Sequence, residues 1–67
     1  MNKLDFYNIK TGDMIDYSYL DMKNRYIVTE GYSPITNCII VKRKSSPDYI
    51  GLRIYPEQAR SVELVEG

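Results

Sequence analysis

A chain of 67 residues has room for one domain, positions 1–67, with a thin core. Its nine basic and nine acidic residues cancel, which argues against a strong non-specific polyanion binder. A single cysteine, Cys38, and no histidine leave no intrachain disulfide, no zinc ligand set and no ordinary proton shuttle. The expectation is therefore a protein without cofactor, metal or enzymatic activity. No stretch has signal-peptide character, and none approaches the ~20 apolar residues that cross a bilayer. With the lone cysteine, this predicts a soluble cytoplasmic protein in a reducing compartment.

In chain order, Met1 to Lys10 is ambiguous, since Leu4, Phe6, Tyr7 and Ile9 suit either a helical turn or an extended lead-in. Thr11-Gly12-Asp13 signals a turn: glycine permits positive φ and aspartate caps through its side chain. Met14 to Tyr19 alternates, with Ile15, Tyr17 and Tyr19 on one face. Asp21 to Asn24 reads as a connection, with Asn24 suited to a left-handed conformation. Arg25 to Glu30 is a second strand, ended by Gly31 to Pro34. Thr36 to Arg43 is a third, and its apolar centre Cys38 to Val41 suggests a covered or central position. Lys44 to Asp48 is a polar hairpin loop that accommodates Pro47.

Tyr49 to Tyr55 is the fourth strand, with Ile50, Leu52 and Ile54 on one side and Tyr49, Arg53 and Tyr55 on the other. Pro56 to Arg60 fits one helical turn opened by proline. Ser61 to Glu66 closes the chain as a fifth strand. No segment has helical periodicity over the ~12 residues that a stable amphipathic helix needs. The predicted core is Ile15, Tyr17, Ile27, Ile40, Ile50, Leu52, Ile54, Val62 and Leu64.

The fold class that follows is all-β, with five antiparallel strands in a barrel or strongly twisted sheet and one short helical turn before the last strand. Two stretches carry a wider likeness. Ile9-Lys10-Thr11-Gly12-Asp13-Met14-Ile15 sets a glycine-aspartate turn before the first long strand, and Pro56 to Val65 leads a helical turn into a closing strand. This order resembles SH3-like barrels, including the KOW and Tudor-type variants. The resemblance is one of pattern over most of the chain, without the KOW glycine in its usual hairpin context. It implies a fold and no family membership.

Little chemistry is on offer. Cys38, inside Asn37 to Val41, reads as a small buried hydrophobe. Asp13, Asp16 and Asp21 do not have the spacing of an EF-hand loop, and read as a turn aspartate and solvated strand positions. The four glycines form no phosphate-cradling loop.

The candidate binding residues are Lys42, Arg43 and Lys44 before the predicted hairpin loop, and Tyr49, Arg53 and Tyr55 on the returning strand. Gly51, on the same face, marks either a docking gap or a bend. Tyrosine and arginine are enriched at the centres of protein interfaces. They can also stack on bases and engage phosphates. The plain alternative is that tyrosines cover a sheet because their rings pack well there.

The neutral net charge ranks protein contact above nucleic acid, since phosphate binding draws on excess positive charge. The expected function is a non-enzymatic binding module for another protein. Size and composition suggest an accessory or regulatory protein of a mobile element. Self-association is plausible through an uncovered sheet edge, and a nucleic-acid-binding SH3-like module is the runner-up.

Overall fold

The structure, a computed structural model, describes residues 1–43 and 51–65. Its elements are helix α1 (Lys3–Tyr7), strands β1 (Met14–Tyr19), β2 (Met22–Ser33), β3 (Cys38–Arg43) and β4 (Leu52–Ile54), a 3-10 turn (Pro56–Ser61) and strand β5 (Val62–Val65). The five strands form one antiparallel sheet in the order β4-β3-β2-β1-β5. Strands β4 and β5 stand at its two edges and do not pair with each other, so the sheet is open rather than a closed barrel. No helix among the described residues is long and apolar enough to cross a membrane.

The turn before β1 forms as its residue types dictate. Gly12 takes φ +96°, and Asp13 Oδ2 accepts from the Lys10 amide at 2.9 Å. The ambiguous lead-in resolves as a helix. Asn2 caps it by accepting from the Asp5 amide at 2.8 Å, and Phe6 and Ile9 go into the core. Met1 nitrogen donates to the carbonyls of Ala59 and Val62, at 3.0 and 2.7 Å, joining the lead-in to the 3-10 turn.

Strand β2 is longer than predicted at both ends. Met22, Lys23 and Asn24 pair with Tyr19, Ser18 and Tyr17, so they are strand and not connection. The reversal is made by Leu20 and Asp21, and the left-handed residue is Leu20 at φ +56°, not Asn24. Beyond Glu30 the strand continues through Gly31 to Ser33, with irregularities between Val28 and Glu30 and between Glu30 and Ser33. Such bulges bend a strand and raise its twist. Thr29, the extra residue at the first irregularity, donates its hydroxyl to the Ile40 carbonyl at 3.1 Å.

The bend brings β2 alongside the lead-in. Gly12 N donates to Val28 O at 2.8 Å, and Tyr32 N to Ile9 O at 3.3 Å.

The core comprises Phe6, Ile9, Ile15, Tyr17, Tyr26, Val28, Ile39, Val41, Ile54, Ala59 and Val62. Ile15, Tyr17, Ile54 and Val62 are buried as predicted. Ile27 and Ile40 are not core residues: they are half-buried on the other face, while Tyr26, Val28, Ile39 and Val41 point inward. Cross-strand partners share a face, and Tyr26 lies opposite Ile15, which sets the parity of β2 and through it that of β3. Leu52 is half-buried, and Leu64 is 49% exposed because the edge strand β5 is uncovered there. Ile50 lies outside the described residues. Cys38 is buried and free, as expected of a small hydrophobe.

The outer face of β1 and β2 carries a cluster of charges beside Met14 and Ile27. Arg25 Nε donates to Asp16 Oδ1 at 3.0 Å, and Lys23 lies 3.9 Å from Asp16 and 3.6 Å from Glu63. The Arg25 hydrogen bond holds the Asp16 carboxyl below its ordinary pKa, with the charges of Arg25 and Lys23 adding to the effect. A carboxyl depressed on folding stabilises the fold while ionised, and that contribution is lost as pH falls through the folded-state pKa. Asp16→Asn is therefore expected to be less stable than the parent near neutral pH. The gap should close as pH drops below about 4, as urea titrations across that range will show.

Candidate binding groove

The inward face of the sheet does not end where the core ends. Reading outward, β1 carries Ile15, Tyr17 and Tyr19, β2 carries Val28, Tyr26, Asn24 and Met22, β3 carries Ile39, Val41 and Arg43, and β4 carries Ile54 and Leu52. Burial falls along every one of these series. The deep end holds Phe6 of α1 and Ala59 of the 3-10 turn, both within the core cluster. The far end is a groove of about 480 Å³.

Tyr17 and Tyr26 line this groove, with Tyr19, Leu20 and Met22 at the β1–β2 hairpin and Leu52 and Arg53 on β4. Arg43, directly opposite Tyr26, is also part of the lining, and Asn24 and Gln58 complete it.

Gln58 ties the 3-10 turn to this site. Its Oε1 accepts from the Tyr55 amide at 3.0 Å, and its Nε2 donates to the Tyr17 hydroxyl at 2.6 Å. Burial, with smaller contributions from Tyr19 and Tyr26, pushes the Tyr17 phenol above its ordinary pKa. Its oxygen accepts from Gln58, which fixes the phenol against the 3-10 turn. The rings of Tyr17 and Tyr26 stand 6.3 Å apart. Both residues are only 6% exposed, so their faces are covered, whereas Tyr19 is 64% exposed.

The predicted binding residues divide. Arg43 lines the groove, opposite Tyr26, whereas Arg53 borders it on β4 but pairs with Ile40, which sets its side chain toward the outer face of the sheet. Lys42 lies opposite Ile27 on the outer face of the sheet, away from Arg43. Tyr55 is exposed but is not part of the groove lining. Lys44 and Tyr49 lie outside the described residues, as does the Lys44 to Asp48 loop. Gly51 offers no docking gap. A Cβ placed there would come within 2.5 Å of Ile40 Cγ2, so the side chain of its neighbour already takes that space.

Tyr19, Leu20, Met22, Asn24 and Gln58 are groove residues that the sequence does not mark for binding. A partial signal exists for Tyr19, which follows Ile15 and Tyr17 at period two, but alternation does not say at which residue burial stops.

A second hollow, about 580 Å³, lies where α1 meets β5 and is lined in part by Asp5, Asp13 and Glu63. Although larger, it is the weaker candidate. Asp13 is engaged with the Lys10 amide and Glu63 with Lys23. Among the described residues no three acidic, cysteine or histidine side chains are placed to hold a metal ion.

No protein-family model, curated protein or solved structure matches the chain.

Proposed function

We propose that this chain is a single-domain, non-enzymatic binding module that contacts another protein through the groove between the β1–β2 hairpin and β4. The observation that carries the reading is the composition of that groove. Tyr17, Tyr19, Tyr26, Leu20, Met22 and Leu52 give it apolar and aromatic area, and Arg43 adds charge. Aromatic residues, methionine and arginine are the types enriched at protein contacts. The arrangement also supports an SH3-like reading of the fold, because an open sheet ordered β4-β3-β2-β1-β5 with a helical turn before the last strand is consistent with that resemblance. A cytoplasmic accessory or regulatory role fits a small neutral chain of this kind.

The competing reading is an SH3-like module that binds nucleic acid. Base stacking needs an open ring face, and two of the three groove tyrosines have theirs covered. The zero net charge weighs the same way.

A pull-down from the native host, analysed for protein and nucleic acid, tests the choice. The full chain is expected to retain a protein partner at moderate salt. The double variant Tyr19→Ala, Arg43→Ala should lose it, since a truncated hot spot of this kind costs about 2 kcal/mol or more. Oligonucleotide retention that weakens steeply with salt would favour the competing reading. A partner held equally by parent and variant would remove the groove from consideration.

A further inference from the structure

We infer that the occupant of the groove is a second copy of this chain: the β1–β2 hairpin of each copy enters the groove of the other, and Asp21 of one meets Arg43 of the other about a two-fold axis; this rests on the groove being the contact surface. Pairing of β1 with β5 ends at Tyr17 opposite Val62, and pairing of β2 with β3 ends at Tyr26 opposite Arg43. Among the described residues the hairpin runs on from there as a two-stranded ribbon, with Ser18 opposite Lys23, Tyr19 opposite Met22 and no third strand beside them. A ribbon of two strands is marginal in water by itself. This one is apolar where it has least support: Tyr19 and Met22 are each 64% exposed, and Leu20 is 84% exposed.

The backbone at the tip adds a second observation. Leu20 holds φ +56°, and a bulky residue in the left-handed region is an outlier. The first central position of a two-residue hairpin turn ordinarily goes to glycine or asparagine. Strain of this sort persists where the side chain is needed. Leu20 has no place in the core cluster, so packing within the chain does not account for it.

Charge and length select a second copy as the occupant. Among the described residues neither Asp21 nor Arg43 has an opposite charge within 4.0 Å. Both signs therefore stand at this end of the molecule, which another copy of the chain matches and a partner of one sign does not. Met22 is four residues beyond Tyr26 along β2, about 13 Å at the rise of a strand, so the tip and Arg43 of one chain are kept apart. Two hairpins laid antiparallel with an overlap of that length bring each tip to the Arg43 of the other copy. Asn24, a groove residue midway between Met22 and Tyr26, then falls at the axis, where two side-chain amides can exchange hydrogen bonds. A two-fold contact of this kind fills both grooves at once and closes, leaving nothing to propagate into a fibre.

The test is sedimentation of the full chain over a range of concentrations, with NMR spectra at both ends of the range. The chain is expected to pass from monomer to dimer as concentration rises, and the amide signals of Met22, Asn24 and Arg43 to shift with it. Asp21→Arg should weaken the dimer by about tenfold or more, and Arg43→Asp likewise, because each change sets like charges together at both contacts. An equimolar mixture of the two variants should associate as tightly as the parent, since every tip then meets a groove of opposite sign. Leu20→Gly should weaken the dimer several-fold while raising the melting temperature of the dilute monomer, a combination that a purely structural leucine would not produce.

A chain that stays monomeric at millimolar concentration overturns the inference. So does a dimer whose shifted signals lie at α1 or β5, or one that mixing the two charge variants does not restore. In each case a host partner still lost in the Tyr19→Ala, Arg43→Ala variant leaves the groove reading standing, with a different protein as occupant. A monomeric chain whose host partner is held equally by parent and that variant overturns both.

Discussion

Phe6→Ala is expected to unfold a large share of the chain at room temperature. Phe6 is fully buried and meets Tyr32 edge-on at 6.1 Å between ring centroids. Removing a buried phenyl ring costs about 3–5 kcal/mol, because the surroundings collapse only partly into the space. A chain of this length has about 3–10 kcal/mol of stability in total. The loss reaches beyond one ring. Helix α1 has five residues, too few to hold its shape without packing. Phe6 is the one buried side chain of that helix, so its removal loosens α1 and the contact between α1 and the 3-10 turn together. Urea titration followed by circular dichroism will measure this. The control is Leu4→Ala on the same helix, where an exposed side chain should change stability by less than about 0.5 kcal/mol. Equal behaviour of the two variants would show that the lead-in does not belong to the core.

Gly31→Ala is expected to cost about 1–3 kcal/mol or more, as other overpacked sites do. A Cβ on Gly31 would lie 2.8 Å from Ile9 O, 3.1 Å from Lys10 Cα and 3.2 Å from Thr11 N. All three are backbone atoms and cannot rotate away. The neighbouring hydrogen bonds, Gly12 N to Val28 O at 2.8 Å and Gly31 N to Thr11 Oγ1 at 3.1 Å, resist a shift of either chain segment. Gly12 makes the contrast. A Cβ there would meet nothing within 4 Å, but the residue holds φ +96°, so its constraint is conformational. Asparagine, which tolerates the left-handed region, should therefore be accepted at position 12 and rejected at position 31. Thermal melts of the two asparagine variants will separate steric from conformational demand. Similar melting temperatures would mean that β2 does not approach the lead-in this closely.

The reach of local pattern is visible at both ends of the chain. The turn at Thr11-Gly12-Asp13 and the helical turn at Pro56 are written in residues whose backbone preferences are intrinsic, and both form. Alternation places Ile15 and Tyr17 inward and leaves Arg53 outside the core, as the structure has them. Where alternation is absent, pattern misleads. The run Cys38-Ile39-Ile40-Val41 is apolar at every position, so either parity fits, and the core expected at Ile40 lies instead at Ile39 and Val41.

What the chain determined by itself is the set of elements: five strands, one helical turn and a buried Cys38. These depend on period-two patterning and on glycine and proline chemistry, which act over a few residues. Only the tertiary structure decided which face each strand turns inward, that Phe6 and Ile9 close one end of the sheet, and that Tyr19, Met22, Arg43 and Leu52 meet at the other. Those outcomes follow from cross-strand register between segments far apart in sequence. A one-residue slip of register exchanges the two faces of a strand without altering its composition.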